Sequence, residues 1–114
     1  MNLVDSLIQL CDPENMDNEY FARESEYIEF TNAIAMNIAN WDGLGRYGDY
    51  IELSAAAIDS NCENADSLDL NACVATLICV HREQHFNGYS DVIGPRIKAG
   101  KLLKVAKRIR NLTE

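Results

Sequence analysis

The apolar residues of this chain recur every three or four positions over most of its length, a spacing that places them on one face of an α-helix. The pattern predicts five helices, which we place at residues 2–11, 24–41, 49–63, 68–86 and 100–112. The middle of the fourth helix is apolar nearly all round, which is typical of the most buried element of a fold. We therefore expect Leu77, halfway along that helix, to lie in the centre of the core.

Short segments rich in helix-breaking residues separate the predicted helices. Pro13 disfavours helix at the residue before it, and three glycines follow one another closely between residues 43 and 48. The segment "SDVIG" at residues 90–94 is the best strand candidate, and no other segment competes with the helical period. The pattern predicts an all-α fold: a compact bundle of about five helices, without significant sheet, forming a single domain over residues 1–114.

The composition fits a globular domain of this size. The chain has 114 residues, of which 47% are hydrophobic, enough to build a core without crosslinks. No run of about 20 apolar residues could span a membrane. The first residues lack the basic start of a signal peptide, so we expect a cytoplasmic protein.

Four cysteines are present, but none forms a Cys-x-x-Cys pair or a zinc-knuckle spacing. In a reducing compartment such residues usually serve as small buried hydrophobic side chains. We expect free buried thiols at Cys11, Cys62, Cys73 and Cys79.

Charge is distributed unevenly along the chain. Residues 1–91 contain 17 acidic and 3 basic side chains, a balance of −14, whereas residues 92–114 contain 7 basic and 1 acidic, a balance of +6. Together these give the net charge of −8. An acidic body repels nucleic-acid phosphates at long range, but a basic segment could reverse that effect locally.

Two hypotheses compete for the basic C-terminal helix. In the first, the helix docks on the acidic body and its charges complement neighbouring acids. In the second, its basic face binds a polyanion such as RNA. The candidate anion-binding side chains are Lys101, Lys104, Lys107 and Arg108. We favour the first hypothesis because the apolar positions of the helix, from Leu102 to Leu112, need a core to cover them.

His81 and His85 are four residues apart on the fourth predicted helix, so both imidazoles could face one metal ion. A zinc-protease motif needs Glu directly after the first His, but that position is Arg82. The nearest acid, Glu83, is displaced about 200° around the helix from His81. We therefore predict no metal and no other cofactor, with His81 and His85 as the weak metal candidates.

An aromatic and acidic cluster surrounds the glycines at positions 43, 45 and 48. Aromatic side chains are enriched at protein interfaces. The candidate partner-binding residues are Trp41, Asp42, Tyr47, Asp49 and Tyr50.

The segments "LICVHREQHFNG" and "GKLLKVAKRIRNL" resemble two parts of an uncharacterised family of small prokaryotic proteins classed as a domain of unknown function. The family pattern is an apolar helix ending in basic residues and Phe-x-x-Gly, then a helix ending in Arg-Leu. The similarity covers residues 68–112, although only Asn87 separates Phe86 from Gly88 and Ile109 replaces the leucine. The resemblance implies a helical fold and no catalytic residue.

No serine or cysteine stands in a recognisable nucleophile motif, so an enzyme is the less favoured reading. The leading hypothesis is a small, acidic, non-enzymatic module that binds a protein partner or regulates it. One form of it is an inhibitor encoded by a phage or mobile element, of the anti-CRISPR or DNA-mimic type, that blocks a host defence nuclease. A metal-dependent enzyme using His81 and His85, and nucleic-acid binding through the basic helix, are the alternatives. The sequence leaves the oligomeric state open.

Overall fold

A computed structural model describes residues 3–15, 20–38, 54–55, 62–86 and 93–113 of the chain. Within these residues there are five α-helices and two short 3₁₀ turns, and no strand. The helices are α1 (Leu3–Cys11), α2 (Tyr20–Asn37), α3 (Leu70–Phe86), α4 (Ile93–Lys98) and α5 (Lys101–Thr113). The 3₁₀ turns are Pro13–Asn15 and Ala65–Ser67. The predicted all-α class is confirmed.

Four of the helices pack in a ring. Helix α1 contacts α2, α2 contacts α3, α3 contacts α5, and α5 returns to α1. The short helix α4 packs on α3 and α5, and the turn Ala65–Ser67 packs on α5. The radius of gyration is 12.8 Å, close to the value of about 13 Å for a compact domain of this length.

The ring encloses one hydrophobic core. Helix α3 supplies its centre, since residues 72–78 are all buried and Leu77 is fully inaccessible to solvent. The phenol of Tyr27 on α2 donates a hydrogen bond of 2.6 Å to the backbone carbonyl of Leu77. This bond satisfies a buried hydroxyl and fixes α2 against the middle of α3.

Helix α1 follows its predicted pattern closely. Val4, Leu7 and Cys11 are buried, and the helix stops at Cys11, directly before Asp12 and Pro13. The carboxylate of Asp12 accepts a hydrogen bond of 3.0 Å from the backbone N–H of Glu14, which holds the following turn. Pro13 therefore ends the helix as predicted.

The strand candidate at residues 90–94 is helical where the structure describes it. Ile93 and Gly94 belong to α4, and residues 90–92 lie outside the described residues. Pro95 falls in the first turn of α4, where its missing N–H has no helical partner in any case. Helix α4 ends at Lys98. Gly100 closes the turn after it, with a left-handed φ of +78° and an N–H that donates to the carbonyl of Ile97 at 2.9 Å.

Two further details differ from the sequence prediction. Cys62 and Glu63, predicted at the end of the third helix, lie in a turn, and Cys62 has a left-handed φ of 64° that cannot continue a helix. The rest of that predicted helix is described only at Ser54 and Ala55, which are helical. Leu112, predicted in the core, is 38% exposed near the end of α5.

Among the residues that the structure describes, three polar ones are buried: Thr31, Ser54 and Thr76. The hydroxyl of Thr76 donates to the carbonyl of Ala72 at 2.7 Å. The hydroxyl of Thr31 is buried and has no hydrogen-bond partner among the groups that the structure describes. A buried hydroxyl without a partner loses its hydration without compensation.

We expect Thr31→Val to raise the free energy of unfolding by about 1 kcal/mol, because valine keeps the shape and removes the unsatisfied hydroxyl. Urea denaturation monitored by circular dichroism measures the change. Thr76→Val is the matched control and is expected to be neutral or destabilising, because it removes a hydrogen bond that is made. A larger loss for Thr31→Val than for Thr76→Val would contradict this account of the core.

Candidate functional site

Four basic side chains of the C-terminal basic segment (residues 92–114) form ion pairs with acids of the acidic body (residues 1–91). Arg96 on α4 lies 3.1 Å from the carboxylate of Glu83 on α3. Lys101 and Lys104, one turn apart on α5, both donate to Glu63, with the Lys104 contact at 3.3 Å. Near the other end of α5, Arg110 donates to Asp5 on α1. The segment is thereby tied to three separate parts of the body.

Of the other two candidate anion-binding residues of α5, Arg108 contacts the body and Lys107 is exposed. The Nε–H of Arg108 donates to the backbone carbonyl of Leu68 at 2.9 Å. Lys107 points into solvent. Of the four residues proposed for anion binding, three are thus engaged with the body. The docking predicted by the first hypothesis is confirmed, and polyanion binding by the second stays a prediction.

Glu63 is the acid shared by two of these contacts. The hydrogen bonds donated by Lys101 and then by Lys104, with the charges of the same two ammonium groups, lower the pKa of the Glu63 carboxyl. The group therefore stays ionised throughout the neutral range. Because its side chain is 60% exposed, solvent screens the pair and its share of the stability is small.

The apolar face of α5 is buried more completely than its charges. Leu102, Val105, Ala106 and Ile109 are all inaccessible to solvent. The ion pairs lie around this apolar contact. They contribute more to the orientation of α5 than to the stability of its docking on the body.

His81 is the one of the two candidate metal ligands whose side chain the structure describes. The side chain of His81 is half-buried on α3 and already interacts with a neighbouring group. The side chain of His85 lies outside the described residues. No cluster of three or more His, Cys, Asp or Glu side chains suited to a metal ion occurs in the described parts of the chain. The metal-enzyme hypothesis stays a prediction that elemental analysis of the purified protein tests directly.

The cysteines are free thiols, as predicted. Cys11, Cys62 and Cys73 are buried, and Cys79 is half-buried. Burial raises the pKa of Cys11 and of Cys73 to about 12, and it raises the pKa of Cys62 as well. Because the thiolate is the nucleophilic form, the three buried thiols are protonated and unreactive at neutral pH. They serve as small packing residues of the core.

We expect the fold to survive chelators and reductants, because its described cysteines are unpaired and its core is apolar. Circular dichroism should stay strongly helical after addition of a chelator, and likewise after addition of an excess of a thiol. Substantial loss of helix in the chelator would reveal a structural metal, and loss in the thiol alone would reveal a disulfide.

The aromatic and acidic cluster at residues 41–50 lies outside the described residues. Its five candidate partner-binding residues, Trp41, Asp42, Tyr47, Asp49 and Tyr50, therefore stay predictions from the sequence.

Sequence reasoning did not identify the acids that receive the basic segment. Arg110 and Asp5 are 105 residues apart, and Lys101 and Glu63 are 38 apart. Nothing in the local sequence marks Asp5, Glu63 or Glu83 among the 18 acidic residues of the chain. Only tertiary packing brings these charges together: α5 against α1, α5 against the turn before α3, and α4 against α3.

Comparison with known proteins identifies no relative of this chain. No protein-family model matches the chain, and no curated protein and no solved structure is similar to it. The predicted resemblance of residues 68–112 to an uncharacterised prokaryotic family stays a prediction. No helix of the described residues has the length and apolar character required to cross a membrane.

Proposed function

We propose that this chain is a non-enzymatic interaction or regulatory module that binds a protein partner through its acidic surface. The observation that carries the proposal is the engagement of the basic segment with the body. Arg96, Lys101, Lys104 and Arg110 each lie beside a carboxylate of their own chain. Three carboxylates therefore offset most of the charge of these four side chains, and less of it is available to an external polyanion.

The charges left on the surface are mainly negative. The net charge is −8, and exposed acids occur in the turn after α1, on α2 and before α3, at Glu14, Glu26, Glu29, Asp66 and Asp69. An acidic surface accelerates the approach of a basic protein and repels phosphates. A protein partner with a basic surface is therefore favoured over a nucleic acid.

The inhibitor hypothesis is a narrower form of the same proposal. A protein that blocks a nuclease by mimicking nucleic acid must present negative charge to a basic groove. The small size and acidity of the chain support that form. A nuclease recovered as the partner would establish it, whereas a partner of another class would leave only the general proposal standing.

The first test is capture of partners by the tagged full-length chain in cells of its source. We expect one partner at a reproducible, near-equal ratio, released at raised salt because screening weakens the charge attraction. The tag alone, expressed in the same cells, controls for non-specific capture. Failure to recover any reproducible partner would contradict the proposal.

The second test measures nucleic-acid binding. Filter binding of mixed RNA and DNA at low salt is expected to show nothing tighter than micromolar affinity. Lys104→Glu with Lys107→Glu is expected to lose stability, because it places a carboxylate beside Glu63. Tight binding with a log–log salt slope near about −5, as for about six phosphate contacts, would overturn the proposal if the variant abolished it without loss of stability.

A further inference from the structure

The outward side of α2 is a helix face that the other described helices do not cover. Helix α2 packs on α1 and α3 through its opposite side, where Tyr27, Thr31 and Ile34 are buried. The positions three or four residues apart on the other side share one face. We define this outer face by its members: Glu26, Glu29, Asn32, Ala33, Met36 and Asn37.

The outer face combines two carboxylates with an exposed apolar side chain. Glu26 and Glu29 are exposed near the middle of α2, and Met36 lies two turns after Glu29 on the same side. Met36 is 70% exposed, and only it and Leu112 are exposed among the large hydrophobic residues that the structure describes. Methionine adapts its shape to different partners and is frequent at binding surfaces. Ala33, between Glu29 and Met36, is small and permits close approach.

We propose that the outer face of α2 binds a segment of a partner protein that carries basic side chains beside an apolar one. This inference rests on the proposed function and specifies which part of the acidic surface binds the partner. Charge complementarity selects the partner: Lys or Arg would pair with Glu26 and Glu29, and an apolar side chain would cover Met36 and Ala33.

The same structure argues against two other occupants. A second copy of the chain would have to supply a basic amphipathic helix, but α5 already buries Leu102, Val105 and Ile109 in its own core. Nucleic acid would meet Glu26 and Glu29 with like charge. The charge of the outer face therefore favours a basic segment of a different protein.

Fluorescence anisotropy with synthetic peptides tests the proposal on the full chain. The probe is a labelled peptide of Lys, Arg and Leu that forms a basic amphipathic helix, and a second peptide replaces each Leu with Ser. We expect the Leu peptide to bind about tenfold more tightly than the Ser peptide. Met36→Ser should remove most of that difference and leave the binding of the Ser peptide unchanged.

Charge reversal at matched positions separates this face from the general acidity of the chain. Glu26→Lys with Glu29→Lys should weaken the Leu peptide about tenfold. Glu14→Lys with Asp66→Lys changes the net charge equally at exposed positions elsewhere and should change binding less than about twofold. Circular dichroism and thermal unfolding of each variant establish that the fold is retained.

Equal losses in the two charge-reversed variants, or equal binding of the two peptides, would overturn the inference. So would tighter binding of duplex RNA than of the Leu peptide at the same salt. These outcomes are distinct from failure of the proposed function. A partner recovered from cells equally by the native chain and by Glu26→Lys with Glu29→Lys would keep the function and refute this surface.

Discussion

Leu77→Ala is expected to lower the free energy of unfolding by about 2–5 kcal/mol, the range for leucine truncation in a packed core. Leu77 is fully inaccessible to solvent at the centre of α3. The three positions before it, from Val74 to Thr76, are also fully buried, so the helix has little freedom to move into the space. The loss would be a large part of the stability of a typical domain.

Urea denaturation of Leu77→Ala measures this loss, and the same chemical change at an exposed position provides the control. Leu112 is 38% exposed near the end of α5, so Leu112→Ala should cost less than about 1 kcal/mol. A cost below about 1 kcal/mol for Leu77→Ala would mean that α3 is not the centre of the core. The hydrogen bond from Tyr27 to the carbonyl of residue 77 is retained in the variant, since the backbone is unchanged.

Ile109→Ala is expected to lower the free energy of unfolding by about 2–5 kcal/mol, whereas Arg110→Gln should lower it by less than about 1 kcal/mol. The two residues are neighbours on α5 and differ in what they contact. Ile109 is fully buried in the core. Arg110 pairs with Asp5, but the two side chains are 40% and 37% exposed, so water screens their attraction.

Chemical denaturation of both variants decides whether apolar packing or charge holds α5 on the body. Repeating the measurement at raised salt separates the contribution of charge from that of apolar packing. Salt screens the attraction between Arg110 and Asp5 and strengthens no ion pair. If Arg110→Gln were the more damaging change, the basic segment would be held mainly by electrostatics. It could then be released by a polyanion, which is the outcome that the proposed function excludes.

Most of the helices could be predicted from local patterns. The period of three to four residues identified α1, α2, α3 and α5, because each has enough turns for the apolar positions to form a visible stripe. Helix α4 was missed because its six residues, Ile93–Lys98, are too few to show a period, and because the Gly-Pro pair reads as a break. Its helical state depends on burial of Ile97, which is 1% exposed.

The start of α3 shows how a local rule can identify the wrong residue. Asp66 and Ser67, directly before the apolar stretch, both satisfy the preference for a helix cap. The structure uses Asp69, whose carboxylate accepts the N–H of Ala72 at 2.7 Å. Several residues in this stretch could cap a helix, and the packing of the turn Ala65–Ser67 on α5 decides which one does.

The candidate site was predicted less completely than the fold. The sequence indicated that the basic helix would meet acids of the body, but it did not indicate which acids. Asp5, Glu63 and Glu83 are chosen because α1, the turn before α3, and α3 itself lie next to α4 and α5. Ion pairs between distant residues leave no periodic pattern in the sequence. An argument from charge alone therefore applies equally to any of the 18 acidic residues.

The sequence alone determined the all-α class, four of the main helices, the most buried helix and the uneven distribution of charge. These properties follow from periodicity and composition. Tertiary packing alone decided the ring of helices, the helical state of residues 93–98, the cap at Asp69 and the pairing of each basic side chain. It also decided that the outer face of α2, with Met36 at its surface, is not covered by the other described helices. The physical reason is that local patterns specify which side of a helix is apolar, whereas the neighbours available in space determine which residues that side meets.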